Sequence, residues 1–306
     1  MELTNHAVSF SKLGNREIEM SAVDVNQKNF CTDLNLTSKL ITPGRCLMWA
    51  PLTDPIRSPR NACRVGVMAT MVDVAGSDPV LAAWSPDWTA TQDLSVHSVA
   101  PLLQGPIVVD TRLLRLGKKV IFVSAEIYDG HGIDDLEQLQ ALIDTFHPEH
   151  SDLSLTARSL ATFVRIPRTG ASGVDQYDPN KWLGAIRKRT AQQENQQALN
   201  HRIGLKIVDP AAGVVELTNT PYVANSIGTI NGGVQALMLE SAAEAMCPGR
   251  IATDIQIHFL SQLKSGPARS VATLIRDAAD HSVVLIQLLD AGASDKLIAT
   301  ATVTLM

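Results

Sequence analysis

The chain is short of cysteine, of net positive charge and of long apolar runs, and each shortage excludes a class of protein. Its four cysteines, at positions 31, 46, 63 and 247, show no C-x-x-C spacing and no histidine cluster, so neither a zinc site nor a disulfide framework is predicted. The net charge of −5 argues against a nucleic-acid-binding surface, and an anionic ligand would need a local basic patch. No stretch is predicted to supply the roughly 18 apolar residues of a membrane span.

The first twelve residues, MELTNHAVSFSK, contain no basic segment followed by an apolar run, so no signal peptide is predicted. With 45% hydrophobic and 19% charged residues in a length of 306, the chain can bury a large core and is long enough for two ordinary domains. We therefore expect a soluble cytoplasmic protein with reduced thiols and without a metal, a membrane span or a nucleic-acid partner.

Two blocks of the sequence occur twice. Asp93-Leu-Ser-Val-His97 matches Asp254-Ile-Gln-Ile-His258, and a Gly-Pro pair follows each histidine at the same distance. Upstream, 65–73 matches 232–240 in Gly, Val, Ala and Met, and both of these blocks end in an acid. The offset changes between the two pairs of blocks, so the first copy is predicted to carry six extra residues between its helix and the following strand, around 77–88. Two gapless matches in the same order indicate a duplicated unit.

Each copy has the pattern of a glycine-rich turn, an apolar helix and several consecutive strands. The helix at Val65–Gly76 has Asp73 as its only ionisable side chain, which is typical of a buried helix. Strands that follow one another directly predict an antiparallel sheet around that helix, so the fold class is α+β. The clearest strands are 107–116, 119–128, 269–275 and 282–289, with a hairpin at 202–208 and 213–218.

The predicted units are 1–167 and 201–306, joined by a linker at 168–200. Within the linker, 168–173 has the composition of a loop and 181–200 that of a polar helix. The first unit also holds an insertion at 131–152 with apolar residues at helical spacing. Two interpretations of this insertion stay open: an amphipathic helix that covers a sheet edge, or a lid over a ligand.

Two features of the repeat could carry chemistry. Asp73 and Glu240 each place a carboxylate in an apolar helix, where an unpartnered charge is costly and the pKa rises. Such an acid could instead face a wet seam or cap a neighbouring element. The turn Asn231-Gly232-Gly233 places unobstructed N–H groups at a helix start, where they suit a developing oxyanion, although a bare turn uses the same residues.

The pattern N-x5-[HN]-G-G-x6-[DE], followed by a strand D-φ-x-φ-H and a Gly-Pro pair, resembles the hotdog acyl-CoA thioesterases of the phenylacetate-pathway (PaaI-like) type. The resemblance covers about two-thirds of the chain. It implies a double hotdog, with two tandem units that each wrap a curved antiparallel sheet around an apolar helix. It also implies an acyl-CoA substrate, no cofactor beyond the CoA of that substrate, and a homodimer of chains.

In that family two hotdogs pair, and the glycine turn of one unit faces the helix acid of the other. The resemblance therefore implies a composite site in which Asp73 acts as general base or nucleophile and Thr91 positions the acid or the water. Gly232 would hold the thioester oxygen, Asn225 would polarise the carbonyl side, and Asn231 stands where the family commonly has histidine. Gly233, Lys118 and Lys119 are further predicted to bind the substrate. For the two lysines, in the hairpin turn at 116–120, contact with the CoA phosphates and a simple solvated turn both stay open.

The reciprocal site is expected to be degenerate. It would combine Ser58, Arg64 and Val65 with Glu240 and Ala252, so a valine replaces the oxyanion glycine and an alanine replaces the strand hydroxyl. One competent site per chain is therefore predicted. The other repeated or reactive side chains, His97, His258 and Cys63, are interpreted as structural.

The leading hypothesis is hydrolysis of an acyl-CoA thioester to the free acid and CoA. The alternative is a non-catalytic module that binds acyl-CoA or a fatty-acyl group, because the fold alone does not decide activity. A third interpretation gives the chain a mainly structural role in assembly.

Overall fold

The computed structural model describes residues 17–19, 29–167, 177–189 and 196–306. Its strands, in chain order, are β1 Glu17–Glu19, β2 Thr37–Thr42, β3 Arg45–Ala50, β4 Trp88–Ser98, β5 Ile107–Leu116, β6 Val120–Asp129, β7 Ser154–Ile166, β8 Ile186–Lys188, β9 Lys206–Asp209, β10 Val214–Leu217, β11 Ala252–Phe259, β12 Ala268–Asp277, β13 Ser282–Asp290 and β14 Lys296–Leu305. The α-helices are α1 Val65–Trp84, α2 Leu136–Asp144, α3 Leu199–Arg202 and α4 Gly232–Met246. Short 3₁₀ turns lie at Thr32–Leu34, Asp54–Ile56, Pro179–Trp182 and Ala291–Ala293.

All these strands form one sheet, in the order β1-β8-β2-β3-β5-β6-β7-β4-β11-β14-β13-β12-β10-β9. The six strands from β2 to β4 belong to the first copy, and the six from β11 to β9 repeat the same order in reverse in the second. The copies meet where β4 pairs with β11 in antiparallel register. Every strand pair is antiparallel except β1 with β8. The predicted α+β double hotdog is confirmed.

The helices α1 and α4 lie in the common core, and two glycines allow them to cross closely. A Cβ atom on Gly233 would lie 2.2 Å from Thr70 Oγ1, and one on Gly66 would lie 2.9 Å from Leu237 Cα. These two contacts are related by the internal repeat. Any side chain at either position would force the helices apart, so glycine is required there.

Helix α1 corrects two expectations from the sequence. The six extra residues of the first copy do not form a connection after the helix, because α1 runs on to Trp84 and contains Pro79. At 20 residues it is also long and apolar enough to cross a membrane by length and composition, contrary to the prediction. The most apolar 18-residue window of α1 is 78% buried inside the protein, as expected for the core helix of a hotdog.

The repeated Asp and His residues lie where the two copies join. The register pairs Asp254 with His97 and His258 with Asp93. Asp254 Oδ1 is 3.0 Å from His97 Nδ1, and Asp93 Oδ1 is 2.5 Å from His258 Nδ1. The D-φ-x-φ-H block therefore forms two reciprocal contacts across the β4–β11 junction, and its recurrence reflects the symmetry of that pairing.

The insertion at 131–152 contains α2, which packs on the outer face of the sheet and not at its edge. The contact forms a second apolar cluster, separate from the core around α1 and α4 and made of Leu47, Val108, Tyr128, Leu136, Leu139, Ile143 and Leu153. Asp135 caps α2 through bonds from Glu137 N and Gln138 N. The covering-helix interpretation holds with this change of place, and the packing gives no support to a lid.

The predicted polar helix over 181–200 is wrong for the part of the linker that the structure describes. Instead of a helix over 181–200, β8 adds to the edge of β2, and Arg187 turns inward to a buried ion pair with Asp78 of α1. Tyr177 donates a hydrogen bond to Asp78 and accepts one from Arg187. This contact could not be predicted, because the polar residues of 181–200 suggest a solvated surface. The predicted loop at 168–173, like residues 190–195, lies outside the described residues, and the unit boundaries 1–167, 168–200 and 201–306 stay a prediction.

Candidate active site

The structure brings together three of the predicted site residues, one from α1, one from β4 and one from the start of α4. Thr91 donates a short hydrogen bond to Asp73 Oδ1. A Cβ atom on Gly232 would lie 3.2 Å from Asp73 Oδ2 and 3.3 Å from Phe259 Cζ. The carboxylate of the first copy is therefore held by its own strand and faces the glycine turn of the second copy.

This cluster is reachable from solvent, since Asp73, Thr91, Gly232 and Phe259 are all half-buried. Dense protein surroundings raise the pKa of Asp73 to about 6, although the Thr91 hydrogen bond lowers it. Burial dominates because it removes the hydration that stabilises the charged form of the carboxylate. An acid of this pKa is ionised near neutral pH and basic enough to accept a proton from water.

Asn231 shapes the glycine turn as the N-cap of α4. Its Oδ1 accepts a hydrogen bond of 2.8 Å from Gly233 N, which satisfies one of the helix-start amides. The Gly233 amide is therefore engaged and its Cα faces Thr70, and the substrate-binding role of Gly233 stays a prediction. Within the described residues, the Gly232 N–H has no hydrogen-bond acceptor. Among the described residues, the amide of Gly232 is thus available to a ligand, whereas the amide of Gly233 is engaged.

Asn225 organises the loop that leads into this turn. Its Oδ1 accepts hydrogen bonds from Ile227 N at 3.0 Å and Thr229 N at 3.2 Å. The backbone N–H of Asn225 donates a hydrogen bond to Thr229 O at 2.7 Å. The side-chain oxygen therefore has a local structural role. No hydrogen bond among the described residues joins Asn225 to Asp73 or Gly232, and its role at the carbonyl stays a prediction.

The reciprocal set of residues is arranged differently. Glu240 Oε1 accepts a hydrogen bond of 3.1 Å from Val65 N, and Oε2 accepts one of 3.2 Å from Gly66 N. Arg64 lies 3.7 Å from Glu240 and 3.0 Å from Glu244. Glu240 is only 1% exposed and Val65 only 2%. The amides at the start of α1 are therefore occupied by a side chain of the protein itself.

Two models of known families match the chain. Residues 65–134 match the model described as Thioesterase superfamily, and residues 220–306 match the Acyl-CoA thioesterase N-terminal domain. The two ranges together span about half of the chain, and each contains one core helix with its acid. The chain belongs to the thioesterase superfamily. The two family matches indicate thioester hydrolysis as the general chemistry of such domains.

Solved structures similar to this chain cover most of it at low identity. The tesB protein of Mycobacterium avium subs paratuberculosis has a TM-score of 0.53 at 9% identity and covers 90% of this chain and 96% of its own. The 12:0-ACP thioesterase from Umbellularia californica has a TM-score of 0.53 at 9% identity, covering 86% and 94%. At such identities these likenesses show the shared fold alone.

One curated sequence is also similar. The Saccharolobus solfataricus protein named "Putative esterase SSO2140" is 25% identical over 89 residues, which are 29% of this chain and 64% of that protein. The match thus spans less than two-thirds of the relative.

The remaining predicted residues lie away from the Asp73 cluster. Lys118 and Lys119 are exposed in the turn between β5 and β6, beside Gly117, whose carbonyl accepts a hydrogen bond from the Trp84 indole. No contact in the described part of the chain links them to Asp73, and their binding of CoA phosphates stays a prediction.

Cys63 is buried, which raises the pKa of its thiol and keeps it protonated, as the structural interpretation requires. All four cysteines are unpaired and buried.

Sequence reasoning missed Phe259 and a repeated pair of carboxylates. Phe259 is the last residue of β11, and its ring lies against Gly232. Asp129 accepts hydrogen bonds from the amides of 103–105, and Asp290 does the same for 264–266. These acids hold the two Gly-Pro loops, and alignment of the two copies at the offset of the Asp–His blocks would have revealed them.

Proposed function

We propose that the protein hydrolyses acyl-CoA thioesters at the composite cluster of Asp73, Thr91 and Gly232, with one competent site per chain. The observation that carries the proposal is the approach of the Asp73 carboxylate to a helix-start glycine whose N–H has no acceptor in the described chain. A base and an oxyanion donor on opposite sides of a reacting carbonyl are what acyl transfer to water requires.

In the proposed reaction, the thioester oxygen accepts a hydrogen bond from Gly232 N at the positive end of α4. Asp73 removes a proton from a water molecule as that water attacks the carbonyl carbon. The oxyanion of the tetrahedral intermediate then collapses, the carbon–sulfur bond breaks, and the CoA thiolate takes the proton from Asp73. Direct attack by Asp73 would give an anhydride that water cleaves, with the same products. Either route uses water and the chain's own residues and needs no cofactor.

We predict that the activity depends on pH through Asp73. Because Asp73 must be ionised, kcat/KM for an acyl-CoA rises with pH and is half-maximal near the Asp73 pKa of about 6. The Thr91 hydroxyl favours the ionised acid, so Thr91→Val should raise that pKa and move the profile to higher pH. The measurement is thiol release from one acyl-CoA between pH 5 and 9.

Thr89→Val is the matched control for this profile. Thr89 lies on the same strand but donates to Val164 O at 3.0 Å and not to Asp73. Its profile should follow that of the wild type. If the Thr91→Val profile also overlays that of the wild type, the rise of kcat/KM with pH is not due to ionisation of Asp73.

We predict a second effect at the glycine turn. Gly232→Val would place a side chain against Asp73 Oδ2 and Phe259, and should lower kcat/KM by about 100-fold because a small displacement of the reacting groups is costly. Gly44→Ala is the control, because a Cβ there meets only Leu113 at 3.9 Å. Steady-state kinetics of both purified variants checks this. Full activity in Gly232→Val would remove Gly232 from the site.

The acyl group, the cytoplasmic location and the homodimer of chains stay predictions. The non-catalytic alternative differs from the proposal in one measurable respect, the release of free CoA thiol from bound acyl-CoA. Analytical ultracentrifugation of the purified chain tests the homodimer independently of activity.

A further inference from the structure

The second copy of the site differs from the first at four corresponding positions, and the differences fit one another. Gly232 corresponds to Val65, Asp73 to Glu240, Thr91 to Ala252, and the cap Asn231 to Arg64. Arg64 provides no side-chain cap for α1, whereas Asn231 caps α4. The start of α1 therefore lacks the acceptor that the start of α4 has from its own turn.

Glu240 fills that gap from the other half of the molecule. Its two oxygens accept from Val65 N and Gly66 N at 3.1 and 3.2 Å. Glutamate reaches these amides because its side chain is one methylene longer than that of Asp73. Ala252 also has no hydroxyl group that could donate a hydrogen bond to Glu240, as Thr91 does to Asp73.

We propose that Glu240 is an internal carboxylate ligand, which occupies the second site and caps α1 from the other half of the same chain. Its carboxylate occupies the helix-start amides at which a thioester oxygen would bind in a working copy. The identification of that place rests on the proposed function, but the carboxylate–amide contact itself does not.

The charges around Glu240 support this assignment. Arg64 lies 3.7 Å from it and also pairs with Glu244 at 3.0 Å, so an anion at this point has a cation beside it. Burial, and then the neighbouring Glu244, raise the pKa of Glu240 to about 8, although Arg64 and the two amides lower it and favour the ionised form. The first site has no such cation among the described contacts of Asp73, and it stays open to solvent.

Hydrogen–deuterium exchange of the wild-type protein tests the contact without any variant. The amides of Val65 and Gly66 should exchange at least about 100-fold more slowly than that of Gly232, which lacks an acceptor within the described residues. Comparable exchange of all three amides would overturn the proposal. This experiment does not depend on hydrolysis, so its failure is distinct from failure of the proposed function.

Chemical rescue gives a second test. Glu240→Ala removes the carboxylate and should lower Tm by several degrees, and sodium formate should restore part of that loss in a concentration-dependent way that sodium chloride does not match. The matched control is Glu244→Ala, which leaves the two amides occupied, so formate and chloride should act on it alike. A folded Glu240→Ala protein on which formate acts no differently from chloride would contradict the proposal.

Discussion

Asp73→Asn is expected to lower kcat for acyl-CoA hydrolysis by about 1,000-fold while the protein stays folded. The change keeps the shape of the side chain and can still accept the Thr91 hydrogen bond, but an amide cannot take a proton from water. The measurement is release of free thiol from a panel of acyl-CoAs that vary in chain length and aromatic character. Far-ultraviolet circular dichroism of the variant should match that of the wild type.

Glu240→Gln is the matched control, since Glu240 is the corresponding acid of the other copy. It should keep most of the activity because Glu240 is buried and bound to backbone amides. If Glu240→Gln abolished turnover and Asp73→Asn spared it, the two sites would have to be exchanged. If wild type and Asp73→Asn bound acyl-CoA but were equally inert, the protein would be a binding module.

The second large effect concerns the stability of the linker strand. Arg187→Met should lower the free energy of unfolding by about 3–5 kcal/mol, because it leaves the Asp78 carboxylate buried without its cation. Both side chains are only 3% exposed, so water cannot replace the lost partner. Urea denaturation of the variant and the wild type measures the difference.

Arg158→Met is the control for that measurement. Arg158 pairs with Glu126 at 2.6 Å, but its side chain is 66% exposed, and such a surface pair contributes less than about 1 kcal/mol. The double variant Asp78→Asn, Arg187→Met should recover part of the loss because the uncompensated charge is gone. A loss in Arg187→Met no larger than in Arg158→Met would show that the buried pair does not hold the linker.

Most of the fold could be predicted from the repeat and from hydrophobic patterning. Two copies of an apolar helix followed by alternating strands leave few architectures, and Gly66 and Gly233 mark the helix crossing at equivalent positions. The linker strand could not be predicted because β8 has only three residues and its central Arg187 is polar. That arginine is buried because Asp78 lies opposite, a tertiary fact with no local signal.

The candidate site was predictable in its members but not in its asymmetry. Asp73, Thr91 and Gly232 follow from the resemblance, and the structure places Asp73 between the Thr91 hydroxyl and the Gly232 backbone. The sequence also marked Val65 and Ala252 as changes in the other copy. It could not show that Glu240 would reach across to the α1 amides, because that depends on the distance between two helices from different halves.

A crystal structure of Asp73→Asn with an intact acyl-CoA bound tests the central claim most directly. The account predicts one ligand per chain, with the thioester oxygen about 3 Å from Gly232 N and the carbonyl carbon beside residue 73. A thioester found at the Val65 and Gly66 amides with Glu240 displaced, or one remote from Gly232, would contradict it.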